Sequence, residues 1–105
     1  METNDTQSSP TLTDIFNKID LSILDAAETL QLANISEDYI EGLCKSLSFM
    51  GNSLATIAEN GAIEFSSECL NQLGHSIEVT GSLIISLVSL HHRAERKILI
   101  ETEDI

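Results

Sequence analysis

The run from Ser66 to Leu99 limits what this chain can become more than any other stretch. Leu70, Leu73, Ile77, Thr80, Ile84, Leu87 and His91 follow one another at alternating steps of three and four. That spacing is one stripe of an α-helix, and a stripe this long has to be covered by other helices. The middle of the run, Val79 to Leu90, is the most apolar part of the sequence. The expected class is therefore all-α.

Two further stripes supply the partners. Thr13 and Asp14 suit a helix start, since the hydroxyl accepts from an orphan N–H and the acid sits at the positive end of the dipole. Phe16, Ile19, Ile23, Ala26, Leu30 and Ala33 then predict a first helix over 13–33, ending near Asn34. Asp20 and Ser22 are its weak point, because both compete for backbone hydrogen bonds. Ser36 is the expected cap of a second helix, with Glu37, Asp38 and Glu41 in its first turn and a stripe of Ile40, Leu43, Leu47, Met50, Leu54 and Ile57. It stops at Asn60-Gly61, where glycine fits the residue after a helix. The third helix runs from a Ser66 cap to about Ile100, with Arg93, Arg96 and Lys97 in its last turns, where the dipole favours cations.

These elements predict a three-helix antiparallel bundle, a long hairpin of helices two and three with the N-terminal helix across one half. The domain spans 13–100, preceded by a flexible arm (1–12) and followed by an acidic tail (101–105). Helix two is about 35 Å long and helix three about 51 Å, so the end of helix three overhangs. At the tip of the hairpin Phe49, Ile57, Ile63, Phe65 and Leu70 lack a covering helix. A second copy supplies that cover most simply, through a two-fold axis, and a foreign protein is the other candidate. Gly51 and Gly74 lie nearly level in the hairpin and suggest a close backbone crossing.

Charge narrows the function. The chain carries 17 acids against five Lys and Arg, a formal net charge of −12. Such a surface repels nucleic acid and attracts basic proteins. Residues 1–90 hold thirteen acids and two bases, while His91 to Lys97 carries three of the five cations. Two cysteines make no disulfide framework. In the hairpin Cys44 and Cys69 fall well over 10 Å apart along the axis, so both are expected as free thiols, with Cys44 in the core. The N-terminus lacks the pattern of a signal peptide. The apolar run at 79–90 falls short of the ~20 residues that span a bilayer, so a soluble cytoplasmic protein with no membrane contact is expected.

Catalytic and metal-binding patterns are missing. Adjacent His91 and His92 diverge by about 100° on a helix, and His75 lies sixteen residues upstream, so no set of metal ligands forms. Paired acids such as Glu37 with Glu41 sit on polar faces, away from any pocket that would tune them. No phosphate-binding glycine loop and no nucleophile motif occurs. No enzyme, cofactor or metal is expected.

In brevity, acidity and helical pattern the chain is similar to many small microbial inhibitors, antitoxins and regulators, a likeness of style that assigns no residues. The expected function is a non-enzymatic inhibitor or neutralising partner of a basic, nucleic-acid-handling effector. Asp14, Asp25, Glu28, Glu37, Asp38 and Glu41 are the candidate contacts. The alternative is a dimeric structural or regulatory adaptor that binds through apolar helix faces.

Overall fold

Three helices begin where the chain offers caps, and in the computed structural model, which describes residues 9–61 and 64–103, each cap is visible. The first helix, α1 (Leu12–Asn17), opens on a capping box: Thr11 Oγ1 accepts from the Asp14 N–H and Asp14 accepts from the Thr11 N–H, both at 3.0 Å. A 3-10 turn at Leu21–Ile23 is capped by the Asp20 carboxylate, which accepts from the Ser22 N–H. The second long element, α2 (Ala26–Asn60), opens on another capping box, between Asp25 and Glu28. It ends at Gly61, whose φ of 61° is the left-handed conformation that glycine adopts without a Cβ clash. Ser66 Oγ accepts from the Cys69 N–H at the start of α3 (Ser67–Glu103).

The break between the first two helices is not where the sequence placed it. A helix over 13–33 followed by a start at Ser36 gives way to a short α1, the 3-10 turn, and an α2 that runs through Asn34 and Ser36. Two physical reasons decide this. The Asp25–Glu28 box satisfies two N-terminal donors at once, a stronger start than Ser36 alone offers. The stripe Thr29, Ala33, Ser36, Ile40, Leu43, Leu47 then continues without a break in its three–four rhythm, so interrupting the helix would lose packing. Ser36 is buried, and its hydroxyl lies 2.7 Å from the Leu32 carbonyl, satisfied inside the helix.

Moving that start also removes the overhang. With 35 and 37 residues, α2 and α3 are each roughly 52–56 Å long and match along their length. Ala33 and Ala94 are buried together with Leu21 and Leu90, and Phe16, Leu24, Leu32 and Ile98 pack around them. The first helix lies on α3 instead of spanning the hairpin near 37–49. Thr13 bonds Ser86 at 2.9 Å, and Ser89 donates to Asn17 at 2.8 Å. Arg93, Arg96 and Lys97 are not in the last turn of α3. Arg93 donates to the carbonyls of Phe16 and Ile19, and Lys97 to that of Leu24, so two of these cations hold the N-terminal segment down.

The core sits at one end of the hairpin. Leu21, Ala33, Leu87, Leu90 and Ala94 are its buried hydrophobics, and no described residue in 46–58 or 67–79 is buried. The molecule is long and flat, 62 × 43 × 15 Å, with a radius of gyration of 19.0 Å against about 13 Å for a compact chain of this size. Among the described residues the close crossing expected at Gly51 and Gly74 is absent, since a Cβ added at either would meet none of their atoms within 4 Å. Interior glycine costs about 1 kcal/mol against alanine, and packing within the chain does not account for it. Cys44 is exposed, not in the core, and both cysteines are free thiols. By length and composition α3 is apolar enough to cross a membrane, and 17% of its most apolar window is buried. The uninterrupted run at 79–90 understates this, because the flanking turns are also rich in uncharged residues. Of the arm expected over 1–12, residues 1–8 lie outside the described residues, as do Ile63 and the last two residues, while Thr11 and Leu12 form the start of α1.

Acid should loosen the N-terminal segment first. The Thr11 N–H, and after it the Thr11 hydroxyl, hold the Asp14 carboxyl below its ordinary range. Hydrogen bonds from Ser22 do the same for Asp20. A carboxylate whose folded pKa is depressed contributes stability above its unfolded pKa and loses it as pH falls through the folded value. Amide exchange at 12–23 is therefore expected to accelerate below about pH 4, ahead of the centre of α3. In Asp14→Asn that acid dependence should largely vanish from α1. Uniform acceleration along the chain would refute it.

Candidate protein-interaction surface

The six candidate acids do not form one patch. Asp14, Asp25 and Glu28 are spent on helix starts, where their oxygens accept backbone N–H groups. Glu28 and Glu37 are nine residues apart and project about 180° from each other around α2. Glu37, Asp38 and Glu41 remain together on exposed turns of α2. Glu41 pairs with Lys45 at 3.4 Å, both largely exposed, an interaction worth little in water. Asp38 is exposed on the same helix.

Folding adds a residue that the sequence reading did not join to this set. His91 is mostly buried between α2 and α3. Its Nδ1 lies 2.9 Å from the Ala33 carbonyl, the geometry of an N–H donor. Its Nε2 faces Glu95 at 3.3 Å and Glu37 at 3.9 Å. Glu95 stands one helical turn beyond His91, so the spacing was in view. The missing signal was the level of Glu37, which is set by the register of α2 against α3.

Around these groups runs a groove of about 290 Å³. Leu30 and Leu99, 53% and 63% exposed, form apolar walls, and Ile98 also lines the groove. Glu37 and Glu95 stand along the same groove. An aliphatic stem ending in a cation suits such a site, since the stem packs on leucine while the head meets carboxylate.

The apolar candidates lie away from this groove. Phe49 is 73% exposed and Leu70 52% exposed, while Ile57 and Phe65 are half-buried. Among the described residues no three His, Cys, Asp or Glu groups gather within reach of one metal ion. Comparison with family models, curated proteins and solved structures returns no match, so the geometry alone carries the functional reading.

Proposed function

We propose that this protein is a non-enzymatic binder of a basic protein, acting as an inhibitor or neutralising partner of a nucleic-acid-handling effector, and that it works as a cytoplasmic homodimer. The observation that carries the reading is the acidic flank of α2. Glu37, Asp38 and Glu41 lie on one rigid helix, and Glu37 opens onto a groove with leucine walls. A basic surface approaching a chain of charge −12 is steered by long-range attraction. A lysine or arginine then docks between Glu37 and Glu95. Asp14, Asp25 and Glu28 add to the field while keeping their capping roles.

The test is capture from the native cell with the wild-type chain and with a variant carrying Glu37→Lys, Asp38→Lys and Glu41→Lys. The wild type should retain a protein of isoelectric point above about 9 and release it as salt rises. Reversal should cut the association rate at least tenfold at low salt and flatten its salt dependence. A captured protein that is neutral or acidic, or equal binding by both chains, would remove the proposal.

The exposed apolar residues favour a second reading, a dimeric adaptor that meets its partner through helix faces. Under that reading Phe65→Asp abolishes partner binding, and salt has little effect on the wild type.

A further inference from the structure

The tip half of the hairpin has a face that none of the described residues covers. The groove beside His91 shows which flanks share the side of the hairpin away from the 3-10 turn, because Leu30 and Glu37 of α2 meet His91 and Leu99 of α3 there. Carried along the helices at about 100° per residue, that side presents Ser48, Gly51 and Ala55 from α2. From α3 it presents Leu70, Gly74, Ile77 and Gly81. Leu70 and Ile77 are exposed.

Charge is almost absent from this face. Residues 46–58 contain no Asp, Glu, Lys or Arg, and Glu78 is the one such residue between Cys69 and Leu90. In a chain of net charge −12, a face cleared of acids is where a second equally acidic molecule can approach. A basic partner gains nothing from it.

Resting on the dimeric reading above, we infer that this face binds the same face of a second copy, the two hairpins antiparallel about a two-fold axis at the level of Gly51 and Asn52. The contacts Ser36–His91 and Thr29–Lys97 set α2 against α3 so that paired residue numbers sum to about 127, and that axis crosses α3 near His75 and Ser76. Symmetry then fixes the register. Leu70 of one copy lies over Gly81 of the other, and Ile77 over Gly74. Each apolar knob meets a residue without a side chain.

The fit is supported from the other side. A Cβ at Gly51, Gly74 or Gly81 would meet no atom of the described residues within 4 Å. An open groove of about 470 Å³ runs beside Gly81, bounded by Ile77, Ile85 and Thr11, with room for a leucine. At the edges of the overlap the same axis sets Lys45 level with Glu59 of the other copy. Opposite charges therefore meet where the neutral face ends.

Sedimentation of the full chain, with Gly74→Leu, Lys45→Glu, Glu59→Lys and the double swap Lys45→Glu/Glu59→Lys, tests this. The wild type should be dimeric. Gly74→Leu should keep its helix content and weaken the dimer more than a hundredfold. Each single charge variant should weaken it roughly three- to tenfold, and the double swap, which leaves net charge unchanged, should restore it. A monomeric wild type overturns both this interface and the dimeric reading, as does a monomer that floats with phosphatidylcholine vesicles and so uses the face for lipid. A wild-type dimer that Gly74→Leu leaves intact, or that the double swap fails to restore, overturns the interface alone.

Discussion

Leu90→Ala is expected to lower the free energy of unfolding by about 2–4 kcal/mol, read from urea denaturation followed by circular dichroism. Leu90 is 8% exposed and packs with Leu21, Ala33 and Ala94. Two of those neighbours are alanines, too short to collapse into the space a leucine leaves. The cavity term should therefore add to the lost transfer energy. Among the described residues the buried hydrophobics all lie at one end of the hairpin, so the apolar contribution to stability is concentrated around Leu90. A small domain holds only about 5 kcal/mol to begin with, so the variant should keep about 1–3 kcal/mol and unfold at a clearly lower urea concentration. Phe49→Ala is the control. Phe49 is 73% exposed, and its loss should change stability by less than about 0.5 kcal/mol in the monomer. Equal effects of the two substitutions would mean that the core has been placed at the wrong end.

That asymmetry was partly legible in the sequence. The stripe from Leu70 to His91 announced α3, and Asn60-Gly61 announced the end of α2, because each depends on residues within one or two turns. The uncovered tip followed from helix lengths alone. The start of α2 was harder to read. Asn34 and Ser36 are good terminators in isolation, yet the buried stripe that runs through Ala33 and Ser36 overrides them once α3 lies alongside. Asp20 and Ser22 carried a true signal of a break, and it was weighed against an apolar series that continued across it. Cys44 shows the limit of stripe reading. It sits one position past Leu43, and the seam is narrow enough that this rotation turns it to solvent. The acidic groove depended on two helices at once. Glu37 was visible as a candidate, but its proximity to His91 and Glu95 follows from a register that no local pattern contains.

The cations that hold the N-terminal segment against α3 carry the second large effect. Arg93→Ala is expected to free α1 and the 3-10 turn while leaving the α2–α3 hairpin intact. The Arg93 guanidinium donates to the Phe16 carbonyl at 2.8 Å and to the Ile19 carbonyl. These acceptors lie at the end of α1 and just beyond it, where the Phe16 carbonyl also accepts from the Ile19 N–H at 3.1 Å. Charge-assisted bonds of this kind contribute about 1.5–3 kcal/mol each when little exposed. Losing both should cost about 2–4 kcal/mol locally, after water has satisfied part of the freed carbonyls. The ties that remain are the neutral pairs Thr13 to Ser86 and Asn17 to Ser89, with Lys97 still holding the Leu24 carbonyl at the far end of the segment. Amide exchange over 12–24 should accelerate at least thirtyfold and a protease should cut there, while the centre of α3 exchanges as before. Arg93→Lys should recover only part of the protection, because one ammonium cannot address two separated carbonyls as a planar fork does. Unchanged exchange over 12–24 in Arg93→Ala would show that apolar contacts of Phe16 and Leu21 hold the segment without the arginine. The result also bears on the acidic flank, since Asp14 is presented on α1 and its position depends on that attachment.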